Sequence, residues 1–312
     1  MVFDVKMETF ARKARLVAGG HMTKAPATLT YASVVSRETV RIALLTAALN
    51  DIDVWAADVM NAYITAPCRE KIWTTLGPEW GKDQGRKAIV VRALYGLKSS
   101  GAAFRAHLGK FMADLGYKPC KADPDLWMKP QTKPQGKNEK VLQKDSRYYA
   151  YILCYVDDLL VIHHDPKSVM DQVNVHLPLK PDSVGPPKFY LGAKLSKLEF
   201  KDKSQAWALS PTKYVREAVR NVETYLQEKM QAYSLVKAAA NPFPVEYSPD
   251  DDVSPVLDPG PANYYMQLIG ILRWMCVRSA DWTSALKSLC FPHTRQCRGR
   301  DICRLLFTFS RT

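Results

Sequence analysis

Tyr151-Ile-Leu-Cys-Tyr-Val-Asp-Asp-Leu-Leu-Val-Ile162 is the stretch that decides the fold. It is apolar and β-prone except for Asp157 and Asp158, two adjacent carboxylates. Burying such charges is costly unless something compensates them. Mg²⁺ is a natural compensating ion, because it takes oxygen ligands and often bridges protein carboxylates to substrate phosphates. The stretch therefore predicts a strand–turn–strand that presents two carboxylates to metal, although Asp is also a good turn residue without any ligand.

A second carboxylate segment is needed if the pair serves nucleotidyl transfer, in which two metal ions clamp an in-line displacement. The best candidate is Asp58, at the end of the apolar strand pattern Val54–Val59. Further along, Tyr63 supplies an aromatic ring that could stack under a sugar and exclude a 2′-hydroxyl. The alternative is that Asp58 is a helix N-cap and Tyr63 a core residue.

Helices and strands are predicted to mix without regular βαβ alternation, which favours an α+β fold. Periodicity and capping residues predict helices at Arg37–Leu49, at Ala102–Leu115, after Ser210-Pro211 and at Tyr264–Val277. Strands are predicted at Asp53–Val59, Ala88–Val91, Tyr148–Val156 and Leu159–His163, with weaker candidates near Lys188–Leu191 and Ala206–Leu209. Lys129–Arg147 is predicted to be an exposed loop, and the Pro- and Asp-rich Asn241–Ala262 a linker.

Charge and composition narrow the class of protein. The 312 residues can form one large or two modest domains, and 47% hydrophobic content is typical of a globular protein. The formal charge of +13 favours a polyanionic partner such as nucleic acid, although charge alone fixes no ligand. Seven scattered cysteines without a C-x-x-C pair argue against a disulfide framework or structural zinc and fit a reducing compartment. We expect no signal peptide and no membrane span.

Several segments occur in the order found in copia-type retrotransposon reverse transcriptases. They are Lys13–Val17, Asp58–Tyr63, Ala93-Leu-Tyr-Gly-Leu-Lys98, Ala122-Asp-Pro-Asp-Leu126, Tyr155–Asp158 and Phe189-Tyr-Leu-Gly192. The chain resembles that family from about Phe10 to Met275. The resemblance implies a right-hand polymerase, with an antiparallel palm sheet, fingers and a partial thumb. Together with the linker predicted from composition at 241–262, it gives a polymerase domain of fingers, palm and the start of the thumb at 1–240, and a partial thumb or connection segment with a divergent tail at 263–312.

The same resemblance implies a role for individual residues. Asp58, Asp157 and Asp158 would bind two Mg²⁺ ions, with Mn²⁺ as a possible substitute, and Tyr63 would screen the sugar. Lys13 and Arg15 would meet the incoming triphosphate, or else form a solvated strand face. The nucleotide and template pocket would be shaped by Tyr95, Gly96 and Lys98. The primer end would be positioned by Leu191 and Gly192, which could equally form a plain β-turn.

The resemblance further implies an RNA-directed DNA polymerase that works on an RNA or DNA template with primer and on deoxynucleoside triphosphates. It would act inside the cell, in a cytoplasmic retroelement particle or the nucleus, in association with other retroelement proteins. One departure is Ser99-Ser100-Gly101, where the family usually has a Gln-Ala-Pro-like triplet. Another is the tail from Ser284 to Thr312, which suggests a shifted reading frame near residues 276–290. The alternatives are an inactive remnant that at most binds nucleic acid and a non-polymerase metal-dependent phosphotransferase.

Overall fold

The computed structural model describes residues 2–6, 11–27, 29–133, 147–230 and 257–278. The chain forms two compact units, Met1–Pro187 and Lys188–Thr312. The division falls inside the predicted domain 1–240, and most of the predicted segments 241–262 and 263–312 lies outside the described residues. The predicted domain boundaries therefore stay a prediction.

The described elements mix strands and helices in both units. In chain order they are β1 (Val2–Lys6), β2 (Ala11–Arg15), α1 (Arg37–Leu49), β3 (Asp53–Asp58), α2 (Ala62–Thr65), β4 (Trp73–Thr75), β5 (Lys87–Ile89), α3 (Ser100–Asp114), β6 (Lys118–Pro119), β7 (Leu126–Thr132), β8 (Arg147–Tyr155), β9 (Asp158–His163), α4 (Pro166–His176), β10 (Phe189–Tyr190), β11 (Ala193–Glu199), β12 (Gln205–Ser210), α5 (Thr212–Met230) and α6 (Pro259–Arg278). Every paired strand among them is antiparallel, which confirms the α+β class.

A five-stranded sheet organises the first unit, with strand order β3-β9-β8-β7-β6. Its central strands β8 and β9 are rich in apolar residues, of which Ile152, Leu159 and Val161 are fully buried. These side chains share a core cluster with Phe104 of α3 and Met170 of α4. Burial of such side chains contributes about 1.5–3 kcal/mol each, so the sheet is a rigid base for whatever lies at its end.

Local signals in the sequence set several helix boundaries. Ser36 accepts a hydrogen bond from the Thr39 backbone N–H at 3.1 Å and caps α1, as predicted. Gly116 follows α3 with φ 82°, a conformation that favours glycine and ends the helix. The predicted helix after Ser210-Pro211 is present as α5. Helix α6 begins at Pro259, so the end of the predicted linker 241–262 is helical.

The prediction of a loop at Lys129–Arg147 is wrong at both ends. Strand β7 continues to Thr132, and β8 begins at Arg147. The two strands pair from Leu126 opposite Leu153 to Thr132 opposite Arg147, and this pairing outweighs the polar composition. Residues 134–146 lie outside the described residues. Strands β1, β4, β6, β7 and β11 and helices α2 and α4 were not predicted, and β2 agrees with the alternative of a strand face at Lys13 and Arg15.

The second unit has its own sheet and helices. Strands β10, β11 and β12 form an antiparallel sheet in sequence order. In this unit Val222 and Leu226 of α5 pack with Leu268 of α6 in a small buried cluster. Among the described helices of both units, none combines the length and hydropathy needed to cross a bilayer.

Candidate active site

The predicted strand–turn–strand is present as the β8–β9 hairpin. Tyr155 pairs with Asp158, which leaves only Val156 and Asp157 in the turn. Val156 has φ 56°, a left-handed conformation that β-branched residues rarely adopt. The Asp157 carbonyl accepts a hydrogen bond from the Val59 N–H at 2.8 Å, so the turn is fastened to the end of β3. Backbone strain held in place by neighbouring structure is common at functional sites.

Asp58 lies directly opposite Asp158 in the β3–β9 pair, so both residues point to the same sheet face. Two carboxylates in this arrangement repel each other unless a cation is present. The Asp58 Oδ2 atom forms an ion pair with the ammonium of Lys180. Its Oδ1 atom is buried and has no hydrogen-bond partner among the described residues. The alternative of Asp58 as a helix N-cap is wrong, because Asp58 ends β3 and Asn61 precedes α2.

The electrostatics of Asp157 link it to Asp58. Burial raises the pKa of Asp157 above its usual range, and the negative charge of Asp58 raises it further. The positive charges of Lys180 and Arg15 act in the opposite direction and lower this pKa. The structure therefore brings the three predicted carboxylates and two cations to one end of the sheet.

An aromatic cluster borders these carboxylates. The ring centroids of Tyr63 and Tyr95 are 4.8 Å apart, and those of Tyr63 and Phe104 are 6.0 Å apart. Arg15 lies over the Tyr95 ring at 5.8 Å from its centroid. Burial raises the pKa of both tyrosines, and the charge of Asp157 adds to the rise. Tyr63 is half-buried and packs against the core. The alternative of Tyr63 as a core residue is therefore partly correct, because the rest of its surface is exposed.

Gly96 makes a close backbone contact on the other side of Tyr95. Its φ is 91°, and a Cβ atom placed there would lie 2.2 Å from the Ala18 carbonyl oxygen. The Ala18 N–H donates to the Tyr95 carbonyl at 2.7 Å, so residues 17–20 form a wall beside the tyrosine. The close approach that this glycine permits in the structure is to that wall. Lys98 donates to the Thr23 carbonyl at 2.9 Å.

Three predicted site residues remain, Lys13, Leu191 and Gly192. Lys13 is in β2, opposite Asp4. In the second unit, Leu191 and Gly192 connect β10 and β11 in a two-residue turn, with φ values of 49° and 78°. Positive φ at both positions defines a type I′ hairpin turn, as the β-turn alternative proposed.

The departure at Ser99-Ser100-Gly101 has a structural counterpart. The Ser99 hydroxyl donates to the Glu70 carboxylate, and the Ser100 hydroxyl donates to the Leu94 carbonyl at 2.6 Å. Both serines are buried, so these hydroxyls serve internal contacts.

Two residues of the site escaped the sequence analysis, Lys180 and Ser183. The Asp58 N–H donates to the Ser183 hydroxyl at 2.9 Å, and the Lys180 N–H donates to the Asp58 carbonyl at 2.9 Å. Both lie in the short segment after α4, where Lys180 precedes a single 3-10 turn at Pro181–Ser183, and this segment has no periodicity to mark it. Across the described ranges, no three His, Cys, Asp or Glu side chains converge closely enough to enclose a metal ion.

The mixed fold with antiparallel sheets is consistent with the family comparison. The family model described as "Reverse transcriptase (RNA-dependent DNA polymerase)" matches residues 2–229, which is most of the chain. The chain belongs to this reverse transcriptase family.

The curated relatives carry transposon names. The chain is 28% identical over 158 residues to "Retrovirus-related Pol polyprotein from transposon RE1" of Arabidopsis thaliana, a match covering 49% of this chain and 10% of the relative. It is 27% identical over 210 residues to "Retrovirus-related Pol polyprotein from transposon TNT 1-94" of Nicotiana tabacum, covering 65% of this chain and 14% of the relative. These matches confirm the predicted resemblance to copia-type elements. The chain spans only about a tenth to a seventh of the length of these relatives.

Proposed function

We propose that the chain is the RNA-directed DNA polymerase domain of a copia-type retrotransposon Pol polyprotein. It would extend a primer on an RNA or DNA template with deoxynucleoside triphosphates. The observation that carries the proposal is the register that sets Asp58 opposite Asp158, with Asp157 in the adjoining turn. Membership of the reverse transcriptase family supports the reaction class, and this register supports these carboxylates as the active site.

In this proposal the five-stranded sheet with α3 and α4 is the palm, the N-terminal strands belong to the fingers, and the segment after about residue 210 begins the thumb. The sheet supports the assignment because the hairpin is fixed on a fully buried apolar base. Leu191 and Gly192 would position the primer end. The type I′ turn gives them a defined shape, and a defined shape suits a positioning role.

Asp58, Asp157 and Asp158 would hold two Mg²⁺ ions, or Mn²⁺ in their place. The orphaned Asp58 Oδ1 atom supports this, because a buried oxygen without a partner is suited to a cation. The carboxylates do not form a closed cage, but Mg²⁺ usually keeps water and takes only one or two carboxylates together with substrate phosphates. Once bound, the ions would activate the primer hydroxyl and stabilise the leaving pyrophosphate.

The remaining residues would bind and orient the nucleotide. Tyr63 would place its ring against the sugar, with Tyr95 holding that ring from the side at 4.8 Å. Arg15 and Lys13 would meet the triphosphate, and the Gly96 backbone and Lys98 would border the pocket. Arg15 is exposed beside Tyr95, so its guanidinium is accessible to a phosphate. The protein would act in a cytoplasmic retroelement particle or in the nucleus, in association with other retroelement proteins.

Primer extension on an RNA template tests the proposal. We expect Asp157→Asn to lower incorporation in the presence of Mg²⁺ by about 100-fold or more, because a neutral amide cannot balance the metal charge. The matched control is Asp171→Asn, which neutralises an exposed acid on α4 paired with Lys167. Equal extension by the wild type and Asp157→Asn would refute the role of this carboxylate.

A second candidate is an inactive relative that only binds nucleic acid. Two observations favour it: within the described part of the chain no three ligating side chains converge, and serines replace the family's usual triplet. Fluorescence anisotropy with template–primer, combined with the incorporation assay, separates the two functions. Binding without Mg²⁺-dependent incorporation by the wild type would establish the second candidate.

A further inference from the structure

Lys180 is held beside Asp58 by the backbone. The Lys180 N–H donates to the Asp58 carbonyl at 2.9 Å, and Val59 forms an antiparallel bridge with Leu179. Further along, Ala56 and Gly185 exchange two hydrogen bonds of 2.8 and 3.1 Å. This segment therefore runs along the outer edge of β3, and the stem of Lys180 starts from a fixed point next to the carboxylate.

The ammonium of Lys180 reaches the Asp58 Oδ2 atom. Asp58 lies in register with Asp158, and Asp157 occupies the adjoining turn, so further acidic groups lie near this ion pair. Carboxylates grouped in this way repel one another, and Lys180 supplies a positive charge that offsets part of the repulsion at Asp58.

The Lys180–Asp58 ion pair is exposed enough for the Lys180 ammonium to move away from Asp58. The side chain of Lys180 is 46% exposed and that of Asp58 is 29% exposed. A lysine ammonium is a strongly hydrated point charge on a flexible stem, so it can rotate into water without disturbing the backbone that carries it. A half-exposed ion pair of this kind is also modest in free energy, so a divalent ion can displace it.

We propose that Lys180 is a resident monovalent cation of the site, which occupies Asp58 when no divalent ion is bound and must be displaced before one binds there. Lys180 thereby lowers the affinity of the site for divalent ions and prevents repulsion between the carboxylates in the metal-free protein. This inference rests on the proposed function, since it takes Asp58 as a metal ligand.

Mn²⁺ binding, measured by electron paramagnetic resonance without nucleic acid or nucleotide, tests the inference. Lys180→Met removes the charge and keeps most of the stem, and we expect it to bind Mn²⁺ about tenfold more tightly than the wild type. Lys180→Arg keeps a cation and should bind no more tightly than the wild type. Arg15→Met is the matched control: it removes a positive charge near Asp157 without touching Asp58, so we expect a gain of about twofold at most.

A second measurement uses the unchanged protein, in case Lys180→Met does not fold. Saturating Mg²⁺ should release the ammonium and increase the rate at which acetic anhydride modifies Lys180, read by peptide mass spectrometry. An unchanged acetylation rate, or Mn²⁺ binding by folded Lys180→Met that is no tighter than that of the wild type, would overturn the inference.

The result also separates this inference from the proposed function. If neither the wild type nor Lys180→Met binds Mn²⁺ in a way that Asp58→Asn abolishes, the metal site itself is wrong and both proposals are lost. If the wild type binds Mn²⁺ through Asp58 and loss of the Lys180 charge leaves the affinity unchanged, only the role of Lys180 is lost.

Discussion

Gly96 and Val156 both have positive φ, and both adjoin the candidate active site. For Gly96 the reason is a close approach, because its backbone lies against Ala18 and Gly20. For Val156 the reason is the two-residue turn, since a hairpin this tight requires a left-handed residue. A β-branched residue in that position is strained, which is typical of turns that serve a function.

Replacing Gly96 by Ala should be strongly destabilising. The new Cβ would lie 2.2 Å from the Ala18 oxygen, and φ 91° would become strained. We expect a loss of about 4 kcal/mol in the free energy of unfolding, measured by urea denaturation. Gly85→Ala is the matched control, because Gly85 has φ 80° with nothing within 4 Å of a Cβ and should lose only about 1 kcal/mol. Equal losses in the two variants would show that the contact with Ala18 is unimportant.

Site residues differed in how far the sequence could predict them. Asp157 and Asp158 stand out because they interrupt an apolar run, and Asp58 because it ends one. Lys180 could not be predicted, since it is one of 44 Lys and Arg residues and its position depends on an irregular segment folding back on β3. A charged side chain on a loop carries no local signal of its distant partner.

At the scale of elements, strand β9 ends in a buried histidine. It begins at Asp158 and ends at His163, and its residues from Leu159 onward are buried. The Asp165 N–H donates to His163 Nδ1 at 2.9 Å, which requires that nitrogen to be unprotonated. Burial lowers the pKa of His163, and the neighbouring charge of His164 lowers it further.

Stability should therefore fall as the pH drops below the pKa of an unfolded histidine. The folded state binds the proton less well than the unfolded chain, so protonation favours unfolding, and this loss is absent above about pH 6.5. We expect the melting temperature to fall between pH 7.5 and pH 5.5 by more in the wild type than in His163→Gln. Parallel pH profiles for the two proteins would contradict the assignment.

Elements with strong local signals were predicted well, and those defined by pairing were not. Helix α1 was predicted correctly because Ser36 caps an amphipathic run, and β8 and β9 because they are continuously apolar. Strand β7 was not predicted, because its second half from Lys129 onward is polar and resembles a loop. In the structure, Lys129 donates to the Leu115 carbonyl at 2.8 Å and lies 5.6 Å from the centroid of the Tyr117 ring. Its place in the sheet comes from tertiary partners.

At the scale of the whole molecule, the net positive charge was evident from composition alone. The charge of +13 predicts an electrostatic contribution to nucleic-acid binding that does not depend on sequence. Composition could not predict the division after Pro187, because two units become visible only from how the strands pair.

Binding to template–primer should depend steeply on salt. Each phosphate neutralised by Lys or Arg releases counterions, so we expect the affinity to fall on the order of 10³-fold between about 50 and 200 mM KCl. Fluorescence anisotropy with a labelled primer on an RNA template measures it. A change of less than about threefold would mean that few phosphates are contacted and would contradict binding through the excess of Lys and Arg.

The wall formed by residues 17–20 limits how short a working fragment of this protein can be. Strands β1 and β2 look expendable, because they form an exposed two-stranded sheet that is separate from the five-stranded sheet. A deletion that ended at Gly20 would nevertheless remove the guanidinium of Arg15 from the Tyr95 ring and the Ala18 N–H from the Tyr95 carbonyl. A shortened fragment that keeps these two contacts therefore has to include Arg15 and Ala18.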